Sequence, residues 1–245
     1  MAKIGRPASV FLLLLCGLAG RGATAATGYY LVNVYSDPGQ LTLDYKYWNA
    51  KTPGSPPFGS PELGVGVGVN ARWYTEVYGV AAQTAAQGTS FTSMNWQNDV
   101  LLTQGEYPFD LAIHTNIEQY RAREGYGFEW GPALQTEWWR TQFNVNLFFQ
   151  RDYRVNQGGP TQLAYQWQIR QHWRTLLDFG LQGFGELGQW DHWASRQDQS
   201  HRIGPALFGT LRAGGQFLKY EAAYLVGTNS TRSAHTFTMR LQLGF

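Results

Sequence analysis

The sequence predicts an all-β fold: a transmembrane antiparallel up-and-down β-barrel of about 12 strands, following a cleaved leader. Three observations lead there. Apolar and polar residues alternate in segment after segment, the connections between segments alternate between long and tight, and aromatic residues gather beside both kinds of connection.

The N-terminus differs in kind from the rest. Lys3 and Arg6 precede the apolar run VFLLLLCGLA (10–19), which at about ten residues is too short for a membrane helix. Ala23-Thr24-Ala25 supplies the small-x-small pattern of a cleavage site, so residues 1–25 read as a signal peptide. Cys16 follows Leu15, where a lipoprotein would need a small residue. Residues 26–39 then read as an N-terminal periplasmic segment and 40–245 as the barrel.

Without the leader, Lys+Arg falls from 19 to 16 against 17 Asp+Glu, so the pI near 8.6 belongs partly to the leader and is no argument for nucleic acid. The single cysteine leaves with it, which removes disulfides and thiolate metal ligands. Aromatics at 16% with charged residues at only 15%, and a mean hydropathy of −0.35, fit strands with one apolar face better than a soluble globular domain.

Taken in order, the clean alternations begin with Leu41, Leu43, Tyr45 and Tyr47 against Thr42, Asp44 and Lys46. Leu63, Val65, Val67 and Val69 oppose Gly64, Gly66, Gly68 and Asn70. Leu111, Ile113 and Ile117 oppose Asp110, His114, Asn116 and Glu118. Phe143, Val145, Leu147 and Phe149 oppose Asn144, Asn146 and Gln150, and Leu163, Tyr165, Trp167 and Ile169 oppose Gln162, Gln166, Gln168 and Arg170. In HTFTMRLQLGF, Phe237, Met239, Leu241, Leu243 and Phe245 share one face for the whole segment, a period of two that no helix gives. Less regular strands are expected over 73–82, 89–103, 128–139, 175–187, 200–211 and 217–227.

Long connections are expected at 49–61, 121–127, 154–160, 188–199 and 228–234, with a shorter one at 83–88. Tight turns are expected at 70–72, 104–108, 140–141, 173–174 and 212–215. That regularity suits a barrel with one end outside and the other in the periplasm, and an even strand count returns both termini to the tight-turn end. Trp73, Tyr107, Trp138, Trp139 and Trp173 flank the tight turns. Trp48, Tyr126, Phe128, Tyr153, Trp190 and Trp193 flank the long loops, as rings at two headgroup levels would.

The last strand with its final Phe245 resembles the C-terminal signature read by the machinery that inserts outer-membrane proteins. GVGVGVNARWYTEVYG (64–79), GEYPFDL (105–111), GFGELG (183–188) and LKYEAAYLVG (218–227) resemble a family of small, largely uncharacterised proteobacterial outer-membrane barrels often labelled as transporters. That resemblance implies the fold, the outer-membrane location, and lipid and the insertion machinery as partners. It carries no catalytic or binding residues.

The expected lumen residues are Asp44, Lys46, Glu62, Glu76, Asp110, His114, Glu118, Glu129, Glu137, Arg170, His172, Asp178, Glu186, Arg202, Lys219, Glu221 and Arg240. Both signs occur in similar numbers. Such a set either satisfies itself as a packed polar network or lines a narrow channel for small hydrophilic solutes, and the channel is the reading preferred here. Asp191, His192, Asp198 and His201 fall on one expected outer loop but match no metal-ligand spacing, so no metal or cofactor is assigned. A lipid-hydrolysing barrel would need a nucleophile converging on a histidine. Thr115 cannot converge on His114, because neighbouring strand residues face opposite ways, and GxSxG and HExxH are absent. An adhesion barrel acting through its loops is the remaining alternative.

Overall fold

The computed structural model describes residues 28–35, 37–155, 158–174, 176–229 and 234–245; the expected leader, 1–25, lies outside the described residues. The strands are β1 (Leu41–Lys51), β2 (Phe58–Asn70), β3 (Trp73–Thr84), β4 (Gly88–Leu101), β5 (Asp110–Tyr120), β6 (Tyr126–Trp138), β7 (Thr141–Tyr153), β8 (Gln162–Arg174), β9 (Leu177–Gln189), β10 (Ser200–Ala213), β11 (Gln216–Asn229) and β12 (His235–Gly244). Each pairs antiparallel with its sequence neighbours, and β1 pairs with β12, so the sheet is a closed barrel. Closure removes every edge whose unpaired backbone groups lipid would leave unsatisfied. Beyond β12, Phe245 exchanges backbone hydrogen bonds with Leu41, its N–H donating at 3.0 Å and its carbonyl accepting at 3.2 Å.

The period of two decides what faces where. Thr42, Asp44 and Lys46 are buried inside while Leu41 and Leu43 are exposed outside; on β12, Thr236, Thr238 and Arg240 are buried while Phe237, Leu241 and Leu243 are exposed. Val65, Val77, Trp96, Val145, Leu181 and Leu207, each on a different strand, continue the apolar outer surface around the barrel. No helix of the described residues is long and apolar enough to cross a membrane; the strands do the crossing. An apolar belt outside a polar interior is stable only in lipid, and the chain is an outer-membrane β-barrel.

Leu241→Arg is therefore expected to reduce assembly well below Gln242→Arg. A charge on the lipid face costs roughly 2–4 kcal/mol at the midplane and less near the interfaces. Gln242 instead faces inward and donates to Asp44 Oδ2 at 3.1 Å. Folded fraction by heat-modifiable gel mobility reads this, and equal losses would mean that the facing assigned here is wrong.

Three expectations need correction. The connection expected as a tight turn near 104–108 is a loop over 102–109, held by Arg72 Nη1 on the Leu102 carbonyl at 3.1 Å and by Thr136 on the Pro108 carbonyl at 2.6 Å. The loop expected at 49–61 shrinks to 52–57, because β1 and β2 stay in register up to Ala50↔Phe58. Trp48, expected at the outer headgroup level, packs edge-on against Tyr29 at 5.1 Å inside the barrel.

Candidate functional site

The largest departure concerns the segment expected as periplasmic, 26–39, of which residues 28–35 and 37–39 are described and lead into Gln40. They run inside the barrel, from the tight-turn end at Gln40 toward the long-loop half at Gly28. Gly39 N–H donates to the Gly68 carbonyl at 2.7 Å, and Gly68 N–H donates to Gln40 at 3.1 Å. A side chain at Gly68 would not allow this, since its Cβ would lie 2.1 Å from the Asp37 carbonyl oxygen. Tyr30, Leu31, Val32 and Val34 are buried. The physical reason is apolarity: a stretch this apolar, broken only by Asn33, is poorly placed in water, and the lumen wall offers two apolar patches. Tyr29 packs on Phe184, Ala206, Phe208, Ala223 and Leu225, and Val34 packs with Leu101, Ala112 and Ala133.

Around that segment the wall carries a dense ionic network. Lys46 and Arg240 sit opposite each other on β1 and β12, with Glu62 beside Lys46 on β2. Lys46 Nζ lies 2.8 Å from Glu76 Oε1 and 3.8 Å from Asp44, and Arg240 Nη2 lies 2.5 Å from Asp44 Oδ2 and 3.9 Å from Glu76. Three carboxyl groups thus face two cations. The difference is met by neutral donors: Tyr74 donates to Glu76 Oε2 at 2.8 Å, and Tyr30 of the lumenal segment donates to Glu62. Buried charges are tolerable only with such complete pairing.

Across the lumen, His114 stands between two carboxylates, with Nδ1 2.6 Å from Asp99 and Nε2 3.1 Å from Glu129. Both contacts are hydrogen bonds only when the ring carries both protons. Neither ring nitrogen is left to activate a hydroxyl. Gln97 donates to Asp99 at 2.6 Å, and Gln150 donates to Glu129. A third group lies near the tight-turn end, where Asp178 accepts from Arg170 Nε at 2.9 Å and from the Trp173 N–H at 2.9 Å and contacts His172 Nδ1 at 2.9 Å.

Between the segment and the wall, in the tight-turn half, lies a cavity of about 300 Å³. Gln97, Gln135, Gln142, Gln168 and Gln242 line it together with Asp99, Arg170, Lys219, Glu221 and Arg240. Amides and charged groups that divide evenly between the two signs make up over half of this lining, so it offers donors and acceptors without a strong net charge.

Of the residues expected in the lumen, Asp44, Lys46, Glu62, Glu76, His114, Glu129, Asp178 and Arg240 are buried. Asp110, Glu118, Arg170, His172, Arg202 and Glu221 are half-buried, and Glu137, Glu186 and Lys219 are exposed toward the ends of their strands. Asp110 accepts from Tyr35, Arg202 lies over the Tyr29 ring at 4.6 Å, and Glu221 accepts from Gln182. Glu137 lies 4.0 Å from His172. Asp191, His192, Asp198 and His201 form no metal-holding group among the described residues; Asp198 accepts from Ser195 at 2.8 Å, and His201 Nδ1 is 2.7 Å from the Tyr165 hydroxyl. Sequence reasoning missed Asp99 and the inward Asn95 and Gln97. Their alternation with Trp96, Asn98 and Val100 was the available signal.

No protein-family model matches the sequence, and no curated protein matches it either. Among solved structures, the translocator domain of autotransporter NalP from Neisseria meningitidis aligns with a TM-score of 0.49 and 8% identity, over 86% of this chain and 89% of that one. The CymD monoaromatic hydrocarbon channel aligns with a TM-score of 0.41 and 8% identity, over 85% and 88%. A loop L8 deletion mutant of OmpT, an outer membrane protein of Vibrio cholerae, aligns with a TM-score of 0.37 and 8% identity, over 87% and 100%. Identities this low leave the chemistry to be read from this chain's own lumen.

Proposed function

We propose that this chain is one of the small proteobacterial barrels its hairpin motifs resemble, and that it works as a narrow channel for small hydrophilic solutes. One observation carries the reading. The tight-turn half of the lumen holds a cavity of about 300 Å³ lined by amides and charged groups, where a network packed shut would leave none. Rings of side-chain donors and acceptors replace part of a solute's hydration shell, and ionic groups of both signs keep the lining wet without strong preference for one sign. Of the expected lumen residues, Arg170, Lys219, Glu221 and Arg240 line this space and are the proposed solute contacts. On the same reading, Phe245, which continues the β1–β12 seam, is the group the insertion machinery engages.

Conductance of the purified protein in a planar bilayer tests the channel. Discrete, stable steps, reduced when Gln142 and Gln168 are changed to Leu, are the expected result. A barrel that is folded by gel mobility yet silent at every voltage, with and without residues 28–35, would overturn it.

A further inference from the structure

We propose that the lumen wall is a binding site for an extended peptide, filled by residues 28–35 of the chain itself, and that release of this segment opens the channel. The opening rests on the channel reading above; the binding does not.

The wall grips this segment by its backbone. Thr238 Oγ1 donates to the Tyr29 carbonyl at 2.6 Å and Arg240 Nη1 to the Leu31 carbonyl at 3.2 Å. Asn146 Nδ2 donates to the Val32 carbonyl at 3.0 Å, while the Val32 N–H donates to Gln166 Oε1 at 3.2 Å. Thr238 and Arg240 stand on β12, Asn146 and Gln166 on β7 and β8, nearly opposite in the ring of strands. Consecutive residues Leu31 and Val32 are thus held from opposite walls, and one extended chain spans the lumen at that level. This is how proteins bind extended peptides: main-chain hydrogen bonds supply affinity, and pockets for particular side chains set the register. The pockets are the two apolar patches, one under Tyr29 and one under Val34.

The segment also behaves as a ligand in its charge. GYYLVNVY (28–35) has no ionisable group other than its tyrosines, so leaving strands no buried ion pair. The Lys46–Glu76, Arg240–Asp44 and His114–Asp99–Glu129 contacts all close within the wall. Glu62 and Asp110 lose the Tyr30 and Tyr35 hydroxyls, donors that entering water replaces. The wall is therefore expected to stand without the segment, and the segment to return to it.

The test deletes residues 28–35 from the full chain, with folding checked by heat-modifiable mobility, and adds a synthetic peptide of residues 28–40 or a scrambled one. Binding is read by tryptophan fluorescence, since Trp48 lies against Tyr29, and opening by conductance. The expected result is saturable binding of the native peptide to the deletion variant but not to the intact protein. Single-channel steps should be several-fold larger than those of the intact protein and should fall back when the peptide is added. Val34→Asp in the full chain is the second variant, placing a charge against Leu101, Ala112 and Ala133 while leaving the wall complete; it should conduct and take up peptide like the deletion. If folded variants bind the native peptide no better than the scrambled one, the binding site is refuted. Specific peptide binding with unchanged conductance would uphold the site and refute its role in opening.

Discussion

Arg240→Met should reduce the folded fraction more than any other single change to an ionic side chain in the lumen. Arg240 lies between Asp44 and Glu76 and also bonds the Leu31 carbonyl, and its side chain is only 7% exposed. Methionine keeps most of the volume but leaves Asp44 with Lys46 at 3.8 Å and Gln242 at 3.1 Å as its remaining partners. Removing one member of a buried pair costs about 3–5 kcal/mol, because the other charge stays desolvated. Arg72→Met is the control: the Arg72–Glu106 pair is also in hydrogen-bonding contact, at 3.0 Å, but its side chains are about half exposed, and such pairs are worth less than about 1 kcal/mol. The double variant Asp44→Asn/Arg240→Met should recover part of the loss, since it removes the stranded carboxylate as well. Urea midpoints of the folded barrels in vesicles measure all four proteins. Equal losses for Arg240→Met and Arg72→Met would show that the network does not hold the wall together.

How much of this was legible in the sequence follows from what each feature depends on. Facing depends on the chain alone, so the period of two in Phe237–Phe245 and Leu41–Tyr47 gave the inner and outer sets directly. Whether inward charges meet depends on register between strands distant in sequence. Nothing in Asp44, Glu76 and Arg240 as letters says that β1 and β12 pair Lys46 with Arg240, or that Tyr74 turns its hydroxyl to Glu76. The lumenal segment was hidden for another reason. YYLVNV (29–34) is too short and too weakly alternating to read as a strand, and it was assigned to the periplasm by position. Its lack of charge was the signal that a solvated segment should not give. The inward Gly64, Gly66 and Gly68 of β2 both thin the wall and admit a close approach. Gly64 and Gly66 leave room for Tyr78, Glu76 and Tyr74, and Gly68 admits the backbone at Asp37.

One further pattern joins the strands to the segment they hold. Gly-Pro-Ala occurs at 131–133 on β6 and again at 204–206 on β10, each in the middle of a strand that has neighbours on both sides. Proline cannot donate to a ladder, and both ladders skip there: Trp130↔Phe149 is followed by Ala133↔Asn146, and Ile203↔Val226 by Ala206↔Ala223. The partner backbone moves in over the glycine, so that a Cβ at Gly131 would lie 1.9 Å from the Leu147 carbonyl oxygen and one at Gly204 1.8 Å from that of Tyr224. The alanine that follows is buried in each case, Ala133 in the patch that seats Val34 and Ala206 in the patch that seats Tyr29. Gly131→Ala and Gly204→Ala should therefore each destabilise the barrel by at least about 1–3 kcal/mol, the usual cost of overpacking, because the obstructing atom is backbone and cannot rotate away. Gly215→Ala, in a turn with open space around it, should be neutral. Because each alanine seat is set by its ladder gap, the variants that do fold should also hold the lumenal segment less well, and trypsin cleavage of an Asn33→Lys background, at a position that lines the lumen cavity, reports that loss. If Gly131→Ala and Gly204→Ala assemble like Gly215→Ala and leave position 33 as protected as before, the gaps neither shape the wall nor place the two seats.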